Sequence, residues 1–177
     1  MNQKMQKYII FKTKWGYFGI LGNEAGLVKT CLPTTYQQAK LSLLKDLGEA
    51  EYDKSFFGEL MEQITAYFEG SYVNFSRDIP AALDGFSEFA TAVLNACRDI
   101  TFGETISYGQ AAEKIGRPGA ARAVGRILAR NPLPLIIPCH RVICSNGGLG
   151  GFSAFGGVTM KKKMLELERT VKSSAGS

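Results

Sequence analysis

Hydrophobic positions in the first third of the chain fall in short β-rich runs separated by turn chemistry. Tyr8-Ile9-Ile10-Phe11, Tyr17-Phe18-Gly19-Ile20-Leu21 and Leu27-Val28-Lys29-Thr30-Cys31-Leu32 read as three strands. Asn23-Glu24-Ala25-Gly26 supplies the turn between the second and the third. Two helices follow. The better defined begins near Ser55, with Phe57, Leu60, Met61, Ile64, Tyr67 and Phe68 at helical spacing and Gly70 closing it. Tyr72-Val73-Asn74-Phe75 has the composition of one more strand. The pattern breaks between Asp78-Ile79-Pro80 and Asp84-Gly85. A domain boundary is therefore expected there, with an α/β N-terminal domain over 1–82 and a second domain over 83–177.

The second half changes period. Phe89, Val93, Ala96, Cys97 and Ile100 form one stripe of a helix starting near Ser87. Ser107-Tyr108-Gly109-Gln110 has the form of a capping box, and the short helix it starts stops at Gly116. Arg117-Pro118 restarts a helix, proline being suited to the first helical position, and Asn131-Pro132 ends it. Two helices joined by a tight glycine-containing turn make the helix-turn-helix pattern. A last helix, about 159–169, carries Met160, Met164 and Leu165 on one stripe. Glu168 shares that stripe, as a carboxylate in need of a buried partner or as half of a surface pair with Lys172.

Charge sharpens this division. The chain of 177 residues carries a net +5, but residues 1–85 hold nine Lys and Arg against ten Asp and Glu, and residues 86–177 hold twelve against six. A basic half fits an acidic partner, nucleic acid above all, and a solvated basic surface accounts for charge alone equally well. The arrangement of the arginines favours DNA. Arg122, Arg126 and Arg130 stand at i, i+4 and i+8, within an arc of about 80° on the second helix of the motif. Ala120, Val124, Ile127 and Leu128 occupy the other side, and Ala121 and Gly125 flank the arginines with little bulk. Three same-face cations repel one another, and a phosphate backbone relieves that repulsion. Hydrophobic content of 45% with no long apolar run excludes a disordered chain and a membrane-spanning helix. The charged start, Met1 to Lys7, leads into too short an uncharged run for a secretory signal, so a cytoplasmic location is expected.

Candidate chemistry gathers in one segment. There is a single histidine, His140, which removes every two-histidine metal motif. The four cysteines form no C-x-x-C pair, and whether Cys31 and Cys97 pair stays open. The apolar, proline-stiffened run Pro132 to Pro138 delivers Cys139-His140-Arg141. A thiol is only a few per cent ionised at neutral pH, and His140 or Arg141 is placed to raise that fraction. A ligand set of Cys139, His140 and Cys144 is one short and awkwardly spaced. The glycine-rich Ser145 to Ser153 fits neither dinucleotide nor P-loop spacing; it suits a flat base entering a tight pocket, or an ordinary flexible turn.

Pro138-Cys139-His140-Arg141-Val142, preceded by Asn131-Pro132-Leu133-Pro134, resembles the active-site signature of the O6-alkylguanine-DNA alkyltransferases. The likeness runs from about Phe102 to Glu168 and takes in Gly103 to Tyr108, Ala120 to Gly125 and Gly156-Gly157. The resemblance implies a small RNase H-like α/β domain followed by a mainly α, winged helix-turn-helix domain. It implies Cys139 as the alkyl acceptor, His140 as its base through a water, and Glu168 as the group orienting the imidazole. It gives Arg122 as the finger that fills the stack when a damaged nucleotide flips out, Tyr108 as the group assisting flipping and hydrogen-bonding the guanine, and Asn131 as the hinge beside the recognition helix. Ala121, Gly125, Arg126 and Arg130 would meet DNA through the minor groove. Tyr108, Pro138, Val142, Gly150, Gly151, Phe152 and Ser153 would form the base pocket. No cofactor and no metal are expected, and the partner is double-stranded DNA carrying O6-alkylguanine or O4-alkylthymine, met by a monomer. About two extra residues, including Phe155, separate Gly151 from Gly156 relative to many relatives. Two other readings compete: an alkyltransferase-like protein that recognises lesions without repair, where tryptophan typically replaces the cysteine, and an unrelated winged-helix regulator. Cys139 is present, and the one tryptophan, Trp15, lies far from it in sequence.

Overall fold

The structure, a computed structural model, describes residues 5–45, 47–75 and 77–175. Residues 1–4, on which the reading of the chain's start partly rests, lie outside the described residues. The chain divides into two compact units at Ala82/Leu83.

Among the described residues, unit one is a four-stranded sheet with two α-helices. Strands β1 (Gln6–Thr13), β2 (Gly16–Asn23) and β3 (Gly26–Thr34) form an antiparallel meander, and β4 (Ala50–Tyr52) adds to β1 in parallel, giving the order β3-β2-β1-β4. The anticipated turn closes β2 to β3, with Asn23 Oδ1 accepting from the Ala25 amide at 2.8 Å. Alternation along the strands sorts the core. Ile10, Leu21 and Cys31 pack with Ala39 and Leu43 of α1 (Tyr36–Leu44). Gly19 permits that approach: a Cβ there would lie 2.6 Å from Leu43 Cδ1. On the other face Phe18 meets Phe68 of α2 (Gly58–Phe68), with ring centroids 6.0 Å apart.

The segment Tyr72 to Phe75 is not a strand. Tyr72 and Asn74 are exposed and bond to each other, Asn74 Nδ2 donating to the phenol oxygen at 2.9 Å, while the Phe75 ring packs against Tyr67 of α2, with centroids 6.3 Å apart. The free edge of β1 is taken by β4 instead. Unit one closes where the Pro80 carbonyl accepts from the Leu27 amide and the Ala82 amide donates to the Leu27 carbonyl, both at 2.8 Å.

Unit two is helical. Helix α3 (Glu88–Arg98) is capped by Ser87, which accepts from the Ala90 amide. Its buried face is Ala90, Val93, Leu94 and Cys97, rotated from the expected stripe because Phe89 and Ala96 are only half-buried. Helix α4 (Tyr108–Lys114) has both halves of the capping box between Ser107 and Gln110. Helix α5 (Ala121–Leu128) starts later than the Arg117-Pro118 restart suggested. Gly119 has φ +87°, a left-handed conformation no right-handed helix contains, so Pro118 belongs to the turn. A two-stranded parallel sheet pairs β5 (Ile106–Ser107) with β6 (Val142–Ile143). Its register sets Ser107 beside Ile143, which brings the start of α4 next to the turn Cys139–Arg141. Helix α6 (Gly157–Ala175) buries Met160, Lys161, Met164 and Glu168. Among the described residues no helix is long and apolar enough to cross a membrane.

Candidate active site

A cavity of about 800 Å³ lies in unit two between α5, Tyr108 and the loop 150–153. Cys139 lines it, 6% exposed. The chain reaches this cysteine through a strained turn. Leu135, fully buried, has φ +78°, and the Ile137 amide donates to the Leu133 carbonyl at 2.8 Å. Such a conformation in a branched residue costs on the order of 1–3 kcal/mol and persists only where packing over-determines it. Here Leu133, Ile136 and Ile137, all buried, supply that packing. Asn131 ties both ends of the segment: its Nδ2 donates to the Ile137 carbonyl at 2.8 Å and its Oδ1 accepts from the Leu133 amide at 3.0 Å. Burial pushes the Cys139 thiol up; the Asn131 side chain, the Lys161 charge and the backbone amides of the turn pull the other way, and burial prevails.

Behind the cysteine stands a buried ionic cluster. His140 is fully enclosed, and its Nε2 lies 2.7 Å from Glu168 Oε1. That contact fixes the proton on Nε2 in the neutral ring and leaves Nδ1 as the basic nitrogen. His140 Nδ1 is buried with no hydrogen-bond partner among the described residues. Glu168 takes the inward reading: Lys172 pairs with Glu104 rather than with it. The Glu168 carboxylate also accepts Arg141 Nε at 2.9 Å, Arg141 Nη2 at 3.0 Å and the Gly103 amide at 2.9 Å. Burial alone would raise this carboxyl. The hydrogen bonds and charges of His140 and Arg141 overcome it and hold the group at about 2. For His140 burial dominates and pushes its protonation down, against the pull of Glu168.

The cavity wall holds most of the remaining expected residues. Tyr108, Ala121, Arg122, Gly125 and Arg126 line it from α4 and α5, and Gly150, Gly151, Phe152 and Ser153 from the loop. Gly150 has no substitute: a Cβ would lie 2.9 Å from the Tyr108 hydroxyl, at φ +70°. Ser153 Oγ donates to the Ala129 carbonyl at 2.5 Å, fastening the loop to the end of α5. Arg130 is exposed past the end of α5 and does not line the cavity. Pro138 and Val142 are buried behind the wall.

Two features escaped the sequence reading. Arg141 faces Glu168, not the thiol. The cation acting on Cys139 is Lys161, which is fully buried and donates to the carbonyls of Val142 at 2.7 Å and Leu149 at 2.6 Å. Its Nζ sits 5.7 Å from the Tyr108 ring and 5.9 Å from that of Phe152. Burial lowers its pKa, opposed by the surrounding thiols. A signal existed: Lys161 stands at i−7 from Glu168 and i−3 from Met164, on the same inward stripe. All four cysteines are free thiols, and Cys144 shares the cavity with Cys139.

Residues 88–170 match the family model described as the DNA binding domain of 6-O-methylguanine DNA methyltransferase, and residues 6–82 match the model of its ribonuclease-like domain. The chain belongs to this family. A methylated-DNA–protein-cysteine methyltransferase of Methanosarcina acetivorans is 38% identical over 161 residues, covering 91% of this chain and 97% of that protein. One from Mycolicibacterium paratuberculosis is 47% identical over 122 residues, covering 69% of this chain and 70% of that protein. Among solved structures, Mycobacterium tuberculosis OGT in complex with DNA is similar with a TM-score of 0.77 at 33% identity, over 93% of this chain and 94% of that one. The chain therefore has the two-domain architecture of its family, an N-terminal sheet domain and a helical C-terminal domain that matches the family's DNA-binding domain.

Proposed function

We propose that this protein repairs duplex DNA in the cytoplasm by moving the alkyl group of O6-alkylguanine, methyl above all, onto Cys139, once and irreversibly. The observation that carries the reading is the placement of Cys139 in a cavity rimmed by Arg122 and Arg126 and backed by the His140–Glu168 pair. Displacement at a saturated carbon needs a soft, strong nucleophile, and thiolate is the best the side chains offer. The Cys139 proton passes through a water to His140 Nδ1. Sγ then bonds the methyl carbon as the C–O6 bond breaks, its electron pair moves into the purine, and the base takes up a proton to become guanine. The Tyr108 hydroxyl hydrogen-bonds the purine, with Lys161 beneath its ring. The thioether product resists hydrolysis, so the chain is spent. In this reading the units 1–82 and 83–177 act as separate domains, and the second alone holds the machinery.

A methylated guanine within duplex DNA is reachable only when flipped out, which costs a few kcal/mol. We assign Arg122 to the vacated stack and Arg126 and Arg130 to phosphates, with Asn131 as the hinge. Arg122→Ala is expected to slow repair of methylated duplex roughly ten- to a hundredfold, the equivalent of about 1–3 kcal/mol. Its reaction with free O6-benzylguanine, which needs no flipping, should stay near wild type; an equal loss on the free base contradicts the finger. Arg126→Ala should instead lower the salt slope of DNA binding by about one.

The function itself is tested by repair amplitude. Guanine restored in excess methylated duplex should stop at one per chain, and continuing turnover would overturn single use. A lesion-recognition protein without transfer is the second class of reading, and nothing observed favours it, since Cys139 occupies the acceptor position.

A further inference from the structure

Glu168 serves two side chains, an imidazole and a guanidinium, through one carboxylate. Oε1 receives His140 Nε2 at 2.7 Å and Arg141 Nη2 at 3.0 Å, and Oε2 receives Arg141 Nε and the Gly103 amide, each at 2.9 Å. The guanidinium thus meets both oxygens side by side, the strong bidentate geometry. Its third nitrogen, Nη1, donates to the Ile100 carbonyl at 2.7 Å, and its centre lies 5.7 Å from the Phe102 ring. Every partner that fixes Arg141 is therefore on the polypeptide around the exit of α3 or on α6. All three side chains are almost wholly enclosed.

The charge count of this cluster differs from that of a Ser-His-Asp triad, where the imidazolium formed in the reaction is what compensates the buried carboxylate. Here a permanently charged guanidinium has already neutralised Glu168 before the imidazole is considered. Protonating His140 would create a buried cluster with net positive charge, with Lys161 of α6 adding to it. Those are the charged groups facing the imidazole: Glu168 and Lys161 from α6 and Arg141 from its own turn. The neighbouring thiols are Cys139 and, from α3, Cys97, whose environment includes Cys139, Arg141 and Lys161.

We propose that Arg141 is a positioning residue that, on top of the ring's burial, keeps His140 neutral at rest by occupying Glu168, so that Cys139 holds its proton until the damaged base fills the cavity. A protein used once gains from this arrangement, because a standing thiolate would be consumed by any stray electrophile. Burial of the thiol works in the same direction. The inference rests on the alkyl-acceptor reading of Cys139, but its test needs no DNA, and failure of repair on methylated duplex would be seen separately.

The single histidine makes the test clean, since a ¹⁵N-histidine-labelled chain has one imidazole to observe. In the wild type the ¹⁵N shifts should report the neutral ring with its proton on Nε2 at pH 7. Arg141→Gln should move imidazole protonation upward and the midpoint of Cys139 alkylation by iodoacetamide downward, each by about one to two pH units. At pH 6.5 its alkylation rate should exceed that of the wild type about tenfold. Arg141→Lys keeps the charge without the fork and should return both midpoints to within about half a unit of wild type, which a merely structural role would not do. An imidazolium in the wild type at pH 7, or a glutamine variant whose alkylation profile superimposes on the wild type, overturns the proposal. If Arg141→Gln fails to fold, the wild-type spectrum and the lysine variant still decide it.

Discussion

Cys139→Ala is expected to accept no methyl group while binding methylated duplex with an affinity within about twofold of wild type, a change under about 0.5 kcal/mol. The thiol is buried and contributes no charge to the rim, so the DNA contacts proposed for Arg122, Arg126 and Arg130 do not pass through it. Removing one sulfur from a packed site costs at most about 1 kcal/mol of stability, and the fold should persist. Gel-shift titration beside a repair assay checks both halves. Cys144 provides an internal control, because it lines the same cavity. It lacks the His140–Glu168 backing of the Cys139 turn, so it should not substitute. Methyl found on Cys144 in the alanine variant would contradict the assignment of the nucleophile.

Glu168→Gln should produce the largest loss of stability of any single change discussed. It leaves Arg141 buried with no anionic partner, and an amide with one acceptor oxygen, drawn to Arg141, turns its NH2 towards His140. Breaking a buried pair by deleting one member costs about 3–5 kcal/mol. With roughly 2–4 °C per kcal/mol at this chain length, the melting temperature should fall by about 6–20 °C. Transfer should slow as well, by roughly ten- to a hundredfold, because the ring loses its fixed tautomer.

The acid limb gives that variant a signature. Glu168 is held at about 2 in the folded protein, whereas an unfolded glutamate titrates near about 4.3. A depressed folded value means the stabilisation is fully present above the unfolded value and is lost as pH falls from about 4 towards 2. The stability gap between wild type and Glu168→Gln should therefore be wide at pH 7 and narrow below pH 4. Urea unfolding across that range measures it. A gap independent of pH would mean that the carboxylate charge is not what the pair supplies.

Much of the fold is written in local chemistry, and this part was legible. Asn23 and Gly26 mark a turn because the amide side chain and a glycine at positive φ each make one. Ser87 and Ser107 mark helix starts because a hydroxyl satisfies an orphan amide three residues on. What escaped was non-local. Strand β4 has only three residues, largely exposed, and exists through its pairing with β1, Gln6 opposite Ala50. The start of α5 departs from the local signal because Pro118 fits a helix start, while Gly119 turns the chain the other way.

The site divides in the same manner. The cysteine, its histidine and the arginine stripe are visible as composition and spacing. The partners are not, because Lys161 finds its hydrogen-bond acceptors in carbonyls twelve and nineteen residues away. Arg141 reads as a neighbour of the thiol in sequence, yet the 3-10 turn at Cys139–Arg141 sends it towards Glu168. Consecutive residues on so tight a turn point in different directions, and only the fold says which one meets the cavity.

Intact-protein mass spectrometry after incubation with a duplex carrying one O6-methylguanine tests the central claim most directly. The account predicts that each chain gains the mass of one methylene, that peptide mapping finds it on Cys139, and that further substrate adds nothing more. An unchanged mass in protein that binds the lesion tightly would contradict transfer and leave recognition alone.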